Sequence, residues 1–310
     1  MSGRGEWQSV HVFFEGALYG AVADRMLTEW VGPWLEAHRR RGDLDGYFFV
    51  RYCDEGGNHL RVRFRGRRAP SLLGALGKEA AEHAAVLRTA EAPYEPETAR
   101  YGGSARSLAI CERHFCETSE IALALLAKIP PGERAGRLGK ALLAQLVLVH
   151  GFGVDRRGAS DLAAEFGSGY LRQRAPDPEL QSRWLESYLL AYDRQSDRLG
   201  AYLEAAWQAL ESGESLTPEL DAMRRGVRGH RIALEDLANS GELRTPGGEG
   251  DWRSCRRFLL LSKLHMLNNR LGVDLREECY LAVLLHKTLA AEEAARETPQ
   301  NSREVSRQEA

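Results

Sequence analysis

Four side chains in the stretch HLRVRFR could do chemistry, because His59, Arg61, Arg63 and Arg65 fall on every second residue. A side-chain period of two puts them on one strand face and Leu60, Val62 and Phe64 on the other. Same-face neighbours stand roughly 6–7 Å apart, so three guanidinium groups in a row repel one another unless water or an anion intervenes. Arginine is the side chain best suited to forked recognition of a carboxylate or phosphate. A solvated outer face would carry the same pattern. Arg51, at the end of the preceding strand, adds a fourth cation near the turn and favours an anion-binding sheet face.

Two other segments carry candidate groups. Arg100-Tyr101-Gly102-Gly103 precedes a helical pattern, and paired glycines allow close backbone approach and open helix N–H groups to an anion. Taken alone, a structural loop with an exposed arginine explains it more simply. His265 lies in LLLSKLHMLNNR, with Asn268 and Asn269 at i+3 and i+4 on the same helix side. It reads equally as a core histidine with one hydrogen-bond partner or as a base in a wet pocket.

Other chemistries find little support. Cys111, His114 and Cys116 are spaced so that Cys116 points away from the other two on a helix, and no Cys-x-x-Cys pair occurs. No G-x-S-x-G, phosphate-binding Walker loop or G-x-G-x-x-G is present, so hydrolase, kinase and dehydrogenase readings lose their usual signals. Glu277-Glu278 opens the last helix, where carboxylates favour the dipole. Neither a metal nor a cofactor is expected.

The elements that must position these groups begin with a strand over Gln8–Glu15, where Val10, Val12 and Phe14 alternate with Ser9, His11 and Phe13. Residues 17–40 have helical spacing, interrupted by Pro33. A hairpin follows: Tyr47–Tyr52, the turn DEGGN, then His59–Arg65. Residues 70–88 read as a helix, and 91–103 as an ordered loop. Helical patterns then cover 104–128, 134–150, 158–171, 177–211, 217–239, 251–271 and 275–295, with Pro and Gly clusters at the breaks. The expected fold is α+β: a small N-terminal antiparallel sheet packed against a predominantly helical remainder, one domain over 1–294. The tail 295–310 has almost no apolar residues and should be disordered.

Among 310 residues, 43 % are hydrophobic and 28 % charged, and the net charge is −2. That balance is ordinary for a globular protein with a sizeable core and argues against direct nucleic-acid binding. No apolar run reaches membrane-span length, the N-terminus lacks a signal-peptide core, and five scattered cysteines suit a reducing cytoplasm.

Together, FFVRYCDEGGNHLRVRFRG, YEPETARYGG and LHMLNNRLGVDLREECYL resemble the C-terminal domain of class I lantibiotic dehydratases, in the family's order and across Trp7 to about Leu289. The resemblance implies elimination of glutamate from glutamylated Ser or Thr of a precursor peptide, leaving dehydroalanine or dehydrobutyrine. It places the elimination arginines on Arg61 or Arg63 and on Arg100, and the histidine on His265. Arg51, His59, Tyr101 and Asn269 are then the expected substrate contacts. Nothing in the sequence corresponds to the large glutamylation domain, so a separate protein using glutamyl-tRNA is the expected partner, alongside the leader and core of the precursor. The family's other use is a formal [4+2] cycloaddition of two dehydroalanines in thiopeptide assembly. A non-catalytic module binding the precursor leader is the third reading.

Overall fold

The computed structural model describes residues 5–297. The expected disordered tail lies outside them from residue 298 on; residues 295–297 still belong to the last helix. The chain forms two compact units, one running to Gly153 and resuming over Ser215–Glu277, the other comprising Val154–Glu214 and the chain from Glu278.

In the first unit, β1 (Gln8–Phe14), β2 (Gly46–Asp54), β3 (Gly57–Arg65) and β4 (Val86–Glu91) form one antiparallel sheet in the order β2-β3-β1-β4. The β2–β3 turn is tight because Gly57 sits at φ 104° and the Asp54 carboxylate accepts the Gly56 N–H at 2.9 Å. Register sorts the side chains. Val10, Val12, Phe49, Leu60, Val62 and Phe64 share one buried face, with Trp34 reaching Phe64 at 6.0 Å. Phe48, Val50 and Tyr52 lie opposite Arg63, Arg61 and His59 on the other.

Between β1 and β2 the helical stretch is α1 (Ala21–Arg25), a π-helical segment (Met26–Val31) and α2 (Gly32–Arg40). Pro33 has no N–H to continue the ladder, and the widened turn precedes it without breaking the helix. The expected helix over 70–88 needs correction. α3 (Ala69–Glu82) stops at His83, and the rest becomes β4, paired Val12 to Thr89 and Phe13 to Arg88. Pairing with β1 overrides the local composition of a short segment with little alternation.

Eight helices follow: α4 (Ala105–Leu126), α5 (Ala135–Gly151), α6 (Arg156–Arg174), α7 (Pro178–Asp193), α8 (Ser196–Ser212), α9 (Pro218–Asn239), α10 (Trp252–Leu271) and α11 (Leu275–Glu297). α4, α5, α9 and α10 pack together in the first unit. α6, α7, α8 and α11 from Glu278 make the second, around Leu162, Phe166, Leu203, Trp207 and Leu285. The helix expected over 177–211 is divided at Gln195, whose amide donates to the Ala191 carbonyl and the Tyr280 hydroxyl. No Gly or Pro announces that break. Among the described residues, no helix is long and apolar enough to cross a membrane.

Candidate functional site

β2 is an edge strand, and side chains rather than a fifth strand close its outer edge. Ser119 of α4 accepts the Phe49 N–H at 3.3 Å. Asn269 of α10 accepts the Arg51 N–H at 2.9 Å and donates to the Arg51 carbonyl at 2.8 Å. An amide is the side chain that reproduces both halves of a strand's hydrogen-bond pair. This clamp fixes α10 against the sheet, and His265 lies one turn before it.

The result is a cavity of about 140 Å3. Arg61 and Arg63 form one side, Tyr94, Glu95, Glu97, Arg100 and Tyr101 come from the loop before α4, and Phe115, His265, Met266 and Asn269 close it from the helices. Six of the eight residues expected to act in elimination or to contact substrate therefore line a single space: Arg61, Arg63, Arg100, Tyr101, His265 and Asn269.

Arg61 is held on three sides. Its guanidinium carbon lies 3.3 Å from the Tyr52 ring centre, its Nε donates to His59 Nε2 at 3.2 Å, and Asp54 stands 3.6 Å away. His59 donates Nδ1–H to the Gly57 carbonyl (3.0 Å), which leaves Nε2 as the acceptor. Fully buried, it stacks on His11 at 4.7 Å and lies 4.5 Å from Phe13. Burial, with Arg61 and Arg88 nearby, lowers its pKa. His59 thus orients Arg61 and does not line the cavity.

Arg63 is held by rings instead of charge, its guanidinium carbon 5.3 Å from the Phe48 centroid and 5.1 Å from that of Tyr94. Its Nε is buried with no acceptor, and no carboxylate of the described residues pairs with it. Burial lowers its pKa, and the Arg61 charge adds to that. Arg65, on the same face, is already spent: it pairs with Glu112 at 3.2 Å and lies over Trp7. Arg100 donates to Glu97 at 2.9 Å and to Ser262 at 3.3 Å. Burial raises the Tyr101 hydroxyl to about 12, so it stays protonated.

Arg51 departs from its expected place. It opposes Leu60, not Arg61, and a period of two sends it to the other sheet face. There it is 1 % exposed and paired with Asp24 at 2.8 Å, and Asp24 also takes Arg137. Gly102 and Gly103 likewise serve the fold. Both have positive φ, and a Cβ on Gly102 would lie 2.2 Å from Leu243 Cδ1. The α4 N-terminus is filled by the Ser104–Ser107 capping box. Asn268 turns from the cavity to accept from Gln145 at 2.8 Å.

Sequence reasoning missed Tyr52, Tyr94 and Glu97, aromatic and acidic neighbours whose proximity to the arginines depends on tertiary packing. It also missed Arg270, buried over Phe115 at 5.2 Å and bonded to Ser119 at 3.0 Å. Burial lowers its pKa to about 10. Among the described residues no three His, Cys, Asp or Glu side chains converge as metal ligands would.

The family described as Lantibiotic biosynthesis dehydratase C-term matches residues 7–289. The fold is similar to that of the tRNA dependent lantibiotic dehydratase MibB from Microbispora sp. 107891, with TM-score 0.63 and 22 % identity over 96 % of this chain but 29 % of that one. It is also similar to TsrL (0.70, 18 %, covering 94 % and 96 % of the two chains). A third likeness is to TbtD, a pyridine synthase from thiomuracin biosynthesis (0.65, 19 %, covering 93 % and 98 %). At these identities the likeness is one of fold. No curated protein matches the sequence.

Proposed function

This chain belongs to the lantibiotic biosynthesis dehydratase C-terminal family, and from that premise we propose that it eliminates glutamate from glutamylated Ser or Thr of a ribosomal precursor peptide. A base removes the Cα proton, charge develops on the adjacent carbonyl oxygen, and the Cβ–O bond breaks. The products are a dehydroamino acid and free glutamate, with the proton left on the base. The protein must supply that base, a cation for the developing enolate and a seat for the leaving carboxylate.

The observation that carries the reading is Arg63. A guanidinium set between two rings, with its Nε buried and no ion pair to a carboxylate of the described residues, is a site that awaits an anion. The glutamyl group brings a free side-chain carboxylate and releases a second one. Arg61, fixed by Tyr52 and His59, and Arg100, tethered by Glu97, line the same cavity as His265, the candidate base. Tyr101 and Asn269 bound it, and glutamylation of the peptide must precede the step performed there.

The test is a glutamylated peptide offered to the purified protein. Release of glutamate and a product about 18 Da lighter than the unmodified peptide, one water per site, is the expected result without added metal or nicotinamide. A protein that ignores this peptide but consumes a fully dehydrated one, with expulsion of its leader, is instead a pyridine synthase. Binding without turnover of either would make it a leader-binding module.

A further inference from the structure

Arg270, next to the Asn269 clamp on α10, carries a charge that no described residue cancels. It is 1 % exposed, donates Nε–H to Ser119 and Nη1–H to the Met266 carbonyl, each at 3.0 Å, and leaves Nη2 buried without a partner. Among the described residues no carboxylate pairs with it. Tyr101 and Cys116 would attract it only as anions. Burial pushes the Tyr101 hydroxyl and the Cys116 thiol each up to about 12, so both stay protonated near neutrality. The guanidinium itself, its pKa lowered by burial only to about 10, stays charged. An ion taken out of water without a counter-ion is costly. The carbonyl end of α10 and the Phe115 ring offset that cost only in part.

This charge lies behind the cavity wall. Phe115 and Met266 line the cavity; the Arg270 guanidinium carbon stands 5.2 Å from the Phe115 ring centre, and the Met266 carbonyl is its acceptor. Arg63 and Tyr101, on the same lining, are within its electrostatic reach. With water and counter-ions excluded, salt screens such a field little. Arg270 also holds Ser119, which closes the edge of β2, but a neutral donor could do that. We propose that Arg270 supplies field to the cavity: without touching the substrate, its charge favours a carboxylate or developing enolate held by Arg61 and Arg63 over a neutral occupant. The inference rests on the reading that the cavity receives an anionic glutamyl group.

The test reads charge preference in binding, without turnover. One short peptide carries glutamate on a diaminopropionate residue through an amide, which resists elimination, and its glutaminyl counterpart differs only in side-chain charge. The wild type should bind the glutamyl peptide about 30-fold more tightly than the glutaminyl one. Arg270→Met, which removes the charge, should cut that preference about tenfold by weakening the glutamyl peptide alone. Arg270→Lys, which keeps the charge, and Ser119→Ala, which removes only a hydrogen-bond partner, should hold the preference within about threefold of the wild type. Equal weakening of both peptides in Arg270→Met, or an unchanged preference, overturns the assignment. Should Arg270→Met not fold, Arg270→Lys and Ser119→Ala carry the test, and loss of the preference in either means that packing, not charge, sets it. A wild type that does not distinguish the two peptides overturns the anion reading of the cavity and the inference with it, an outcome distinct from the failure of Arg270 alone.

Discussion

Arg61 and Arg63 stand two residues apart on one strand, yet they are held in opposite ways. Arg61 is oriented by a ring, an imidazole and a carboxylate, whereas Arg63 has only rings. Replacing Arg63 with Ala should therefore lower kcat/KM by about 100- to 1,000-fold with an unchanged circular dichroism spectrum. Arg63→Lys should recover little, because an ammonium does not reproduce the planar fork between two rings. Wild-type kinetics in the Lys variant would sink the forked-recognition argument. His59 acts at one remove. His59→Phe keeps the ring but loses the acceptor for Arg61 Nε, so kcat should fall about tenfold with little change in KM. His59→Gln, which can still accept, should restore most of the rate. Equal losses in both variants would mean that packing, not orientation of Arg61, is the role of this side chain. The arginine row was legible because HLRVRFR alternates. The place of Arg51 followed from the same alternation once pairing with Leu60 was known, but the register itself is not written locally.

β2 and α10 depend on each other through one amide, 218 residues from its partner in sequence. No local pattern foretells such a clamp, and this is why Asn269 reads as a substrate contact from sequence alone. Asn269→Ala leaves a buried N–H and C=O of Arg51 unpaired, which should cost about 2–4 kcal/mol in urea denaturation. It should also speed amide exchange at Arg51 and slow elimination, because His265 sits on the released helix. Normal exchange at Arg51 would show that the edge is closed by other means. The sheet should also be acid-sensitive. Burial first, then His59, Arg61 and Arg63, lower the His11 pKa from 6.5 to about 4, with Asp54 opposing. The unfolded chain therefore binds the proton that the folded sheet refuses. This stability is present above pH 6.5 and is lost as pH falls towards about 4. His11→Phe should flatten the fall in urea midpoint across that window, and an unchanged slope would place the titrating group elsewhere. β4, by contrast, was hidden because VLRTAE is short, half-exposed and strand-like only beside β1.

Over the whole chain, the balance of charge separates this protein's proposed chemistry from the step that precedes it. The net charge is −2, and the cavity's three arginines are offset in part by Glu95 and Glu97 of the same lining. Such a cavity can desolvate and fix a carboxylate, but it offers no extended basic surface for a phosphate backbone. MibB, described as tRNA dependent, is more than three times as long as the region this fold matches, since the match covers 29 % of it. If the tRNA-dependent step is carried by a separate protein, these 310 residues should bind tRNA no more tightly than about 100 µM at physiological salt. Elimination from a pre-glutamylated peptide should then proceed at the same rate with and without tRNA. Filter binding and a rate comparison decide the matter. Sub-micromolar affinity, or elimination that requires tRNA, would mean that the two half-reactions are not divided in this way, whatever the arginines of the cavity prove to do.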